Sequence, residues 1–559
     1  MVENFSFALA QINPKVGDIK GNASLINDYY QRALKAKADL VIFPELALIG
    51  YPPEDLIFQP NLQQDCYFAL QKLSNQTLNK SCAILLGAPW FEEGNIYNSA
   101  IFMSSGHIQN IIRKVVLPNY GIFDDKRLFQ SGNFPSPINY KGINLGVMVC
   151  EDIWSIEPAK KLKEQDADIL IVSNASPFDL GKKKLRLNET KKRVVETSLP
   201  LIYVNQIGGQ DDIVFDGGSF VLDKNGDSVL HMTSFNEEIT IQKWNIEKKH
   251  WVLEKKIINP RLLLDNVFEE EIYQALVLGL KDYIQKNNFS SVLLGLSGGI
   301  DSALTAAIAV DALGSQSVHS IFLPSPYTSQ QSFIDAKDCA DNLGIDFQIL
   351  PIEPGMRAID QILHPVLDQE NGIDITHENI QSRLRGLILM ALSNKTKSLV
   401  LTTGNKSEMA VGYATLYGDM CGAFNVLKDV YKTMVYRLVE WRNTNKPDNF
   451  KGPKKQIINS SILHKAPTAE LRPNQKDQDS LPPYDQLDDI LHCIIELNMT
   501  WQDIVKKGHS KKIVQKVWYL LDRAEYKRRQ SAPGVKITPL AFGRDRRYPI
   551  TNGYKIFGE

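Results

Sequence analysis

A short glycine turn between two apolar runs limits, more than any other feature, what this chain can fold into. Residues 291–296 have the apolar composition of a buried strand, and the alanine-rich residues 303–310 have that of a buried helix. Between them lies Ser297-Gly298-Gly299-Ile300-Asp301-Ser302. A strand, a tight turn and a helix in that order predict a βα unit whose turn lies at the carboxyl end of the strand, where ligands of parallel sheets bind.

The residues of this turn suit a phosphate. Two glycines let the backbone come close to a bulky anion, and the free N–H groups of the following helix favour negative charge. The turn is not a Walker P-loop, because the lysine of that motif is missing and Asp301 lies among the glycines instead. An acidic residue in an anion cradle indicates that a divalent metal mediates between Asp301 and the phosphates. A plain βα turn without a ligand is the alternative.

Length and composition restrict the class of protein. A chain of 559 residues needs more than one core, and two large domains fit best. The formal net charge of −1 removes the electrostatic case for nucleic acid or an acidic membrane as the main partner. The six cysteines are scattered without a C-x-x-C pair, and residues 1–5 lack the basic region of a signal peptide. We therefore expect a cytoplasmic protein.

The two halves differ in pattern. Up to about residue 240, short β-rich runs alternate with polar helical stretches, which predicts layered α/β packing. Residues 235–265 become rich in Glu, Lys and Trp, and we place the domain join there. The second half alternates strands and helices strictly, which predicts a parallel sheet with helices on both faces. Its predicted strands are residues 291–296, 318–323, 346–352 and 398–403.

Two further segments of the second half carry local signals. Residues 328–343 predict a helix with Thr or Ser to cap its start and Gly344 to end it. Residues 440–485 are polar and rich in Pro and Lys. Such a long segment is either a surface connection or a lid over a binding site.

Three reactive residues each follow an apolar β-like run in the first half: Glu45, Lys114 and Cys150. A carboxylate, an ammonium and a thiol can together attack an amide, with the carboxylate taking the proton and the ammonium stabilising the oxyanion. Glu151 and Asp152 directly follow the cysteine, and their negative charge should raise the pKa of its thiol. Singly, the three are also compatible with a surface acid, a strand lysine and a small core residue.

Longer motifs connect these three residues. They are Ala10-Gln-Ile-Asn-Pro14, Phe43-Pro-Glu-Leu46, Arg113-Lys114, Leu117-Pro-Asn-Tyr120, Cys150-Glu-Asp-Ile-Trp154, Asn174-Ala-Ser-Pro-Phe178 and Phe215-Asp-Gly-Gly-Ser219. In this order they resemble the nitrilase superfamily of carbon–nitrogen hydrolases. The resemblance implies an αββα nitrilase-like sandwich over residues 1–250 with a Glu45–Lys114–Cys150 catalytic triad.

Within that superfamily, the first half is most similar to the glutaminase domain of glutamine-dependent NAD synthetases. This similarity implies that Tyr120, Ser176 and Lys182 bind glutamine, with Lys182 as partner of its carboxylate. Lys182 also fits the solvated face of a lysine-rich helix. Asp125 stands where the family pattern has a glutamate, so its support of the triad is an open question.

The second half resembles ATP pyrophosphatases in its glycine turn. Five further motifs are similar to those of NAD synthetases: His377-Glu-Asn-Ile-Gln-Ser-Arg-Leu-Arg-Gly386, Thr402-Thr-Gly-Asn-Lys-Ser-Glu408, Tyr417-Gly-Asp419, Pro467-Thr-Ala-Glu-Leu471 and Tyr526-Lys-Arg-Arg-Gln530. The resemblance implies a Rossmann-like parallel α/β domain over residues 266–559, joined to the first by a linker at 251–265.

The resemblance also assigns binding residues, by ligand. ATP would contact Leu296, Ser297, Gly298, Gly299, Ile300, Asp301, Ser302, Thr403, Lys432 and Thr468. Magnesium would be held by Asp301 and Glu408, and deamido-NAD would contact Asn379, Arg383, Glu408 and Lys527. Carboxylates are hard oxygen donors and the cations can hold phosphates, although arginines and lysines of this kind also occur on solvated helix faces.

The implied reaction is the amidation of deamido-NAD+ to NAD+. ATP would activate the nicotinate carboxylate as an acyl adenylate, and ammonia from L-glutamine would displace AMP. Free ammonia is mostly protonated at neutral pH, which favours its release within the same protein and passage through a sheltered channel. Two alternatives are a defective first domain that acts only as a scaffold, and a non-catalytic nucleotide-binding regulator. Related enzymes form homo-oligomers, and we expect the same here.

Overall fold

The computed structural model describes residues 4–253, 268–366, 374–554 and 556–557. Contacts within the chain divide it into two compact units, residues 1–266 and 267–559. The predicted linker, 251–265, lies outside the described residues from position 254 onward. In the described ranges, no helix is long and apolar enough to cross a membrane.

The first unit is built mainly from strands. Its strands are β1 (Asn4–Gln11), β2 (Leu40–Ile42), β3 (Ala83–Glu92), β4 (Asn95–Ser104), β5 (His107–Arg113), β6 (Ile138–Tyr140), β7 (Ile143–Val149), β8 (Ile169–Asn174), β9 (Leu201–Asn205), β10 (Ile207–Gln210), β11 (Ile213–Asp216), β12 (Phe220–Leu222), β13 (Ser228–His231), β14 (Glu238–Asn245) and β15 (His250–Val252). Its α-helices are α1 (Ile19–Lys35), α2 (Pro60–Gln76), α3 (Asp125–Leu128), α4 (Ile156–Glu164) and α5 (Lys182–Thr197), and its 3₁₀ helices are Glu54–Phe58 and Cys150–Trp154.

Two large sheets form the middle layers of this unit. The order of the first is β15-β14-β1-β2-β3-β4-β5, that of the second is β13-β12-β9-β8-β7-β6, and β10 and β11 form a separate pair. Alternate residues of β1 point to opposite faces. Phe5, Phe7 and Leu9 pack between the sheets, whereas Ala8 and Ala10 pack in the cluster with α1 and α2. Residues of α4 and α5 cover the outer face of the second sheet. The predicted αββα sandwich is confirmed.

The sheet extends into the region that we assigned to the domain join. Strand β14 pairs antiparallel with β1 along its whole length, from Asn4 opposite Asn245 to Gln11 opposite Glu238. Most of its side chains are only half-buried, so its sequence, Glu-Ile-Thr-Ile-Gln-Lys-Trp-Asn, is polar for a strand. We placed the join at residues 235–265, and its first part, up to residue 252, was wrong because it contains β14 and β15. An exposed strand face resembles a charged linker in composition.

The second unit is an α/β domain. Its strands are β16 (Val292–Gly295), β17 (Val318–Phe322), β18 (Asp346–Ile349), β19 (Leu399–Thr402) and β20 (Phe424–Asn425). Its α-helices are α6 (Phe268–Lys286), α7 (Ile300–Leu313), α8 (Gln330–Leu343), α9 (Glu353–Leu363), α10 (Ile375–Thr396), α11 (Lys406–Val411), α12 (Lys432–Thr444), α13 (Ser460–His464), α14 (Tyr484–Ile495), α15 (Trp501–Lys506), α16 (Lys511–Arg523) and α17 (Glu525–Arg528), and its 3₁₀ helices are Ser315–Ser317 and Asp477–Asp479.

The five strands of this unit are all parallel, in the order β18-β17-β16-β19-β20. Along the chain, β17 and β18 follow on one side of β16, whereas β19 and β20 lie on its other side. The strand order therefore reverses between β16 and β19. In such sheets the crevice at this reversal is the usual ligand site. The predicted glycine turn follows β16, and residues 403–408 follow β19, so both segments lie at this crevice.

Two local predictions for the second unit can be compared with the structure. Helix α8 is capped by Ser329, whose side chain accepts from the N–H of Ser332, and it ends at Gly344 in a left-handed conformation, both as predicted. Residues 440–485 contain the last turn of α12, the short α13 and otherwise little regular structure. Whether this segment acts as a lid stays a prediction.

Candidate functional sites

The first site, here called the amide site, is formed by Glu45, Lys114 and Cys150 with their neighbours. Glu45 lies three residues beyond β2 and is completely buried. Its Oε1 accepts hydrogen bonds from Lys114 Nζ and Asn98 Nδ2, both at 2.7 Å. Its Oε2 accepts from the backbone N–H of Ala175 at 2.9 Å. Three donors from three segments therefore hold this carboxylate in a single orientation.

Lys114 lies between two carboxylates. Its Nζ is 2.7 Å from Glu45 Oε1 and 2.7 Å from Oδ2 of Asp125, whose other oxygen accepts from Tyr51 Oη at 2.9 Å. Burial alone would lower the pKa of Lys114, but Asp125 and Glu45 outweigh it and hold that pKa well above its usual range. Burial raises the pKa of Asp125, although Lys114 opposes this shift. The ammonium is thus a permanent positive charge in the core.

Cys150 is the first residue after β7 and starts the 3₁₀ helix Cys150–Trp154. Its φ of +44° is in the left-handed region, which a non-glycine residue adopts only when the surrounding structure enforces it. Burial, Glu45 and Glu151 raise the pKa of its thiol well above the ordinary value, although Lys114 opposes them. The predicted effect of neighbouring negative charge is present for Glu151, but burial is the larger cause. The raised pKa favours the neutral form of the thiol.

Two of the three predicted glutamine-binding residues, Tyr120 and Lys182, lie near Glu151, the residue that follows Cys150. Tyr120 Oη donates to Oε1 of Glu151 at 2.9 Å. Burial raises the pKa of this carboxyl, and Tyr120, Lys114 and Lys182 oppose the shift. Lys182 begins α5, and its Nζ lies 4.9 Å from the centre of the Trp154 ring. Ser176 is buried, and its N–H donates to Asn205 Oδ1 at 2.9 Å. Tyr120 and Lys182 thus share one acidic neighbour, which is adjacent to Cys150 in the chain.

Sequence reasoning did not find several partners of the triad. The sequence indicates no role for Asn98 or Tyr51, contains Ala175 only as part of a longer motif, and leaves the support from Asp125 open. Asn98 makes two hydrogen bonds in the amide site: its side chain donates to Glu45, and its backbone carbonyl accepts from Lys114 N at 2.8 Å. Nothing in the sequence pattern distinguishes this asparagine from one in an ordinary strand.

The second site, here called the nucleotide site, begins with the glycine turn. Ser302 Oγ lies 3.1 Å from Ser297 Oγ and donates to the carbonyl of Gly299 at 3.0 Å. Gly298 has a φ of +78°, and a Cβ there would approach the carbonyl oxygen of Ser332 to 2.3 Å. Ile300 and Asp301 begin α7, and Leu296 is buried at the end of the strand segment. The turn is therefore closed by its own serines and needs glycine for its backbone path.

Asp301 and Glu408 are brought together across the crevice between β16 and β19. Asn405 Nδ2 donates to Asp301 Oδ1 at 3.1 Å, and Asn405 N donates to Glu408 Oε2 at 3.2 Å. Lys432 donates to Asp301 Oδ2, and its Nζ lies 4.0 Å from Glu408 Oε1. Burial and Asp301 raise the pKa of Glu408 to about 8, although Lys432 opposes them. A cation between the two carboxyls would offset the causes that raise this pKa.

Asp301 and Glu408 alone do not make a complete magnesium site. Among the residues that the structure describes, no group of three or more His, Cys, Asp or Glu side chains could hold a metal ion. Magnesium, however, is commonly held by one or two carboxylates together with substrate phosphates and water. Asp301 and Glu408 therefore suit an ion that arrives with a nucleotide.

Three predicted dinucleotide-binding residues converge on one short segment, residues 412–416. Asn379 Oδ1 accepts from Thr415 Oγ1 at 3.0 Å, and Arg383 Nε donates to the carbonyl of Leu416 at 3.2 Å. Lys527 Nζ donates to the carbonyls of Gly412 and Ala414 at 2.8 and 2.7 Å. Burial lowers the pKa of Lys527. Residues from α10 and α17 thus face the same loop, which follows α11.

Two predicted ATP contacts lie in irregular segments. Thr403 directly follows β19. Thr468 Oγ1 donates to the carbonyl of Gln475 at 2.6 Å and accepts from Glu470 N at 3.2 Å, so in this state its hydroxyl bonds within its own loop. Glu470 of that loop accepts from Ser329 and Ser332 at the start of α8, which links the loop to the helix that Gly298 approaches.

Comparison with known proteins identifies a family for each of the two units. The family model for carbon–nitrogen hydrolase matches residues 6–248, and that for NAD synthase matches residues 272–531. Curated glutamine-dependent NAD(+) synthetases of Acinetobacter baylyi and Rhodobacter capsulatus are 45% and 43% identical to this chain, each over 99% of it and over 99% and 100% of their own lengths. The solved glutamine-dependent NAD+ synthetase of Acinetobacter baumannii, in complex with ADP, is 42% identical over 99% of both chains with a TM-score of 0.78. The chain belongs to the family of glutamine-dependent NAD(+) synthetases.

Proposed function

We propose that this protein is a glutamine-hydrolysing NAD+ synthetase that amidates deamido-NAD+ with ammonia taken from L-glutamine, at the expense of ATP. The observation that carries the proposal is the buried Glu45–Lys114–Cys150 arrangement, in a chain that also holds Asp301 and Glu408 at the crevice of a parallel sheet. The first arrangement suits amide cleavage, and the second suits a nucleotide with its metal.

In the amide site, Glu45 acts as the proton acceptor. Its carboxylate takes the thiol proton as Cys150 Sγ forms a bond to the carboxamide carbon of glutamine. The negative charge that develops on the carbonyl oxygen is stabilised by Lys114. Glu45 then gives the proton to the departing nitrogen, the C–N bond breaks, and ammonia leaves a thioester on Cys150. Glu45 next activates a water molecule, which hydrolyses the thioester to glutamate.

Tyr120, Ser176 and Lys182 would recognise the amino-acid end of glutamine. Lys182 is the cation of this set, and it is the partner that we propose for the glutamine carboxylate. Its place beside Trp154 and near Glu151 supports a role in the site rather than on a purely solvated helix face.

In the nucleotide site, the glycine turn and Lys432 would hold the phosphates of ATP. Residues 300–302 form the first turn of α7, where the free backbone N–H groups of a helix favour negative charge. A carboxylate oxygen of deamido-NAD+ attacks the α-phosphorus, and pyrophosphate departs to leave an acyl adenylate. Ammonia then attacks the acyl carbon, AMP leaves, and one proton is lost from nitrogen. Leu296, Thr403 and Thr468 would complete the ATP contacts, and Asn379, Arg383, Glu408 and Lys527 would contact the dinucleotide.

Magnesium is the expected cofactor, held by Asp301 and Glu408. When bound, it would neutralise charge on the phosphates during the departure of pyrophosphate. The raised pKa of Glu408, caused by burial and by Asp301, supports a cation between these carboxyls. We further propose a cytoplasmic homo-oligomer, a state that light scattering of the purified protein would test.

The decisive experiment supplies ATP, Mg²⁺ and deamido-NAD+ with either glutamine or ammonium, and measures NAD+ and AMP. Cys150→Ala should abolish the glutamine-driven reaction and spare the ammonium-driven one, whereas Asp301→Ala should abolish both. Glutamine use that survives Cys150→Ala would refute the triad. The absence of AMP with either donor would favour a regulatory nucleotide-binding protein, and ammonium-only activity of the unmodified protein would favour a scaffold role for the first unit.

A further inference from the structure

We propose that Asp152 is a positioning residue that holds the Lys114 and Cys150 segments at a set distance from each other. The two segments belong to different sheets of the sandwich. This assignment rests on the proposed glutaminase function of the amide site, and it adds a residue that does not touch the substrate.

The contacts of Asp152 are directional and buried. Its Oδ1 accepts from the backbone N–H groups of Val115 and Val116, at 3.0 and 2.8 Å. Its Oδ2 accepts from the backbone N–H of Val149 at 3.0 Å. The side chain has no exposed surface. One carboxylate thus bonds to the two residues after Lys114 and to the residue before Cys150.

The two segments that it joins share no strand pairing. Strand β5, which leads to Lys114, is the edge of the seven-stranded sheet, and β7, which leads to Cys150, lies in the six-stranded sheet. Ile112 of β5 and Val149 of β7 meet in the apolar core between the sheets. Apolar packing sets the separation of two sheets but is not directional, so it resists sliding weakly. The hydrogen bonds of Asp152 are directional. They fix the position of the Lys114 segment relative to the Cys150 segment.

The same bonds explain how the backbone at the nucleophile is held. Cys150 has a φ of +44°, and such a conformation persists only where neighbouring contacts over-determine it. Asp152 bonds to Val149 on one side of this residue and is itself the second residue on the other side. Of the two acids that follow Cys150, Glu151 raises the pKa of the thiol, while Asp152 accepts hydrogen bonds from three backbone amides. The adjacent residues Glu151 and Asp152 therefore have different roles: Glu151 affects the pKa of the thiol, and Asp152 holds the backbone.

Asp152→Asn tests this assignment, because it keeps the shape of the side chain but replaces one acceptor oxygen with an NH2 group that faces a backbone N–H. A displacement of about 1 Å between catalytic groups can lower a rate on the order of 100-fold. We expect kcat for glutamine hydrolysis to fall by roughly that factor, KM for glutamine to stay within about 3-fold, and ammonium-driven NAD+ formation to be unchanged. Asp223→Asn is the matched control, since Asp223 accepts from the backbone N–H groups of Asn225 and Asp227 in a turn away from the site.

A second measurement does not depend on the substrate. The rate at which iodoacetamide alkylates Cys150, located by mass spectrometry, should fall in Asp152→Asn and in Asp152→Glu, whose longer arm displaces the segments, but not in Asp223→Asn. Unchanged kcat and unchanged alkylation in Asp152→Asn would overturn the proposal. An equal loss of the ammonium-driven reaction would also overturn it, by revealing a general effect on folding. If Cys150→Ala left glutamine use intact, the proposed function would fail, whereas the alkylation rates would still decide the role of Asp152.

Discussion

Lys114 Nζ lies 2.7 Å from Oδ2 of Asp125, in a core position where the aspartate is nearly inaccessible to solvent. The side chain of Asp125 therefore reaches Lys114, although we expected a glutamate at this position from the family resemblance. The ammonium is held by two carboxylates, and Tyr51 fixes the outer one through Oδ1. The ion pair between Lys114 and Asp125 keeps the ammonium charge near Cys150, so that Glu45 is not the sole counter-charge of the lysine.

Asp125→Asn should weaken glutamine hydrolysis. The substitution leaves Lys114 with a single charged partner, so we expect the ammonium to move toward Glu45 and kcat to fall roughly 10- to 100-fold. Asp125→Glu restores the charge with one more methylene and should retain activity within about 10-fold, because Tyr51 and Lys114 can still be reached. Steady-state glutaminase assays of both variants test this. Equal activity of Asp125→Asn and the unmodified protein would contradict a supporting role.

The stability of the second unit without ligands should decrease from about pH 5 to pH 8 because of Glu408. Burial and Asp301 raise the pKa of this carboxyl from 4.5 to about 8, so in this range the folded state binds a proton that the unfolded state releases. The contribution of this proton is complete below the unfolded pKa and is lost as the pH rises through the folded one. Thermal unfolding at several pH values should show the decline, and Glu408→Gln should flatten it. An unchanged slope in that variant would contradict the assignment.

Gly298→Ala should abolish NAD+ formation with both nitrogen donors. A Cβ at this φ of +78° would come within 2.3 Å of the backbone carbonyl of Ser332, so the turn must move. Gly299→Ala is the matched control, since its φ is −91° and the nearest atom to a Cβ would be Ser297 Oγ at 3.3 Å. We expect the control to keep most of its activity and both variants to keep glutaminase activity. Equal effects of the two substitutions would argue against backbone strain as the cause.

Asp488→Ala should raise the KM for ATP. Oδ2 of this buried carboxylate accepts from Thr433 N at 2.9 Å, and the carboxylate also accepts from the hydroxyl of Ser407, which in turn accepts from Lys432 N at 2.9 Å. Asp488 thereby connects α11, which carries Glu408, with α12, which carries Lys432. Asp489→Ala is the control, because Asp489 bonds to Lys507 and His509 at the surface, where ion pairs contribute about 0–1 kcal/mol. Initial rates at varied ATP concentration would contradict the prediction if the two variants behaved alike.

Local features of both sites could be predicted from sequence where the chain itself carries the signal. The glycine turn, the cap of α8 at Ser329 and the position of Cys150 after β7 each depend on a few consecutive residues. Strand β14 could not be distinguished from a linker, because its partner β1 is more than 200 residues away and only that pairing reveals its register. The pattern of a half-exposed strand is ambiguous without its neighbour.

The sequence by itself determined the chemistry available: a carboxylate, an ammonium and a thiol at the ends of β-like runs, and a glycine turn with an aspartate before an alanine-rich helix. The tertiary structure alone decided which groups meet. It assigned Asp125 to Lys114, turned Asp152 away from the thiol toward three amides, and gathered Asn379, Arg383 and Lys527 around residues 412–416. Apart from the bond between Asp152 and Val149, these contacts join residues 11 to 115 positions apart in the chain, and their geometry depends on sheet order and packing rather than on any local preference.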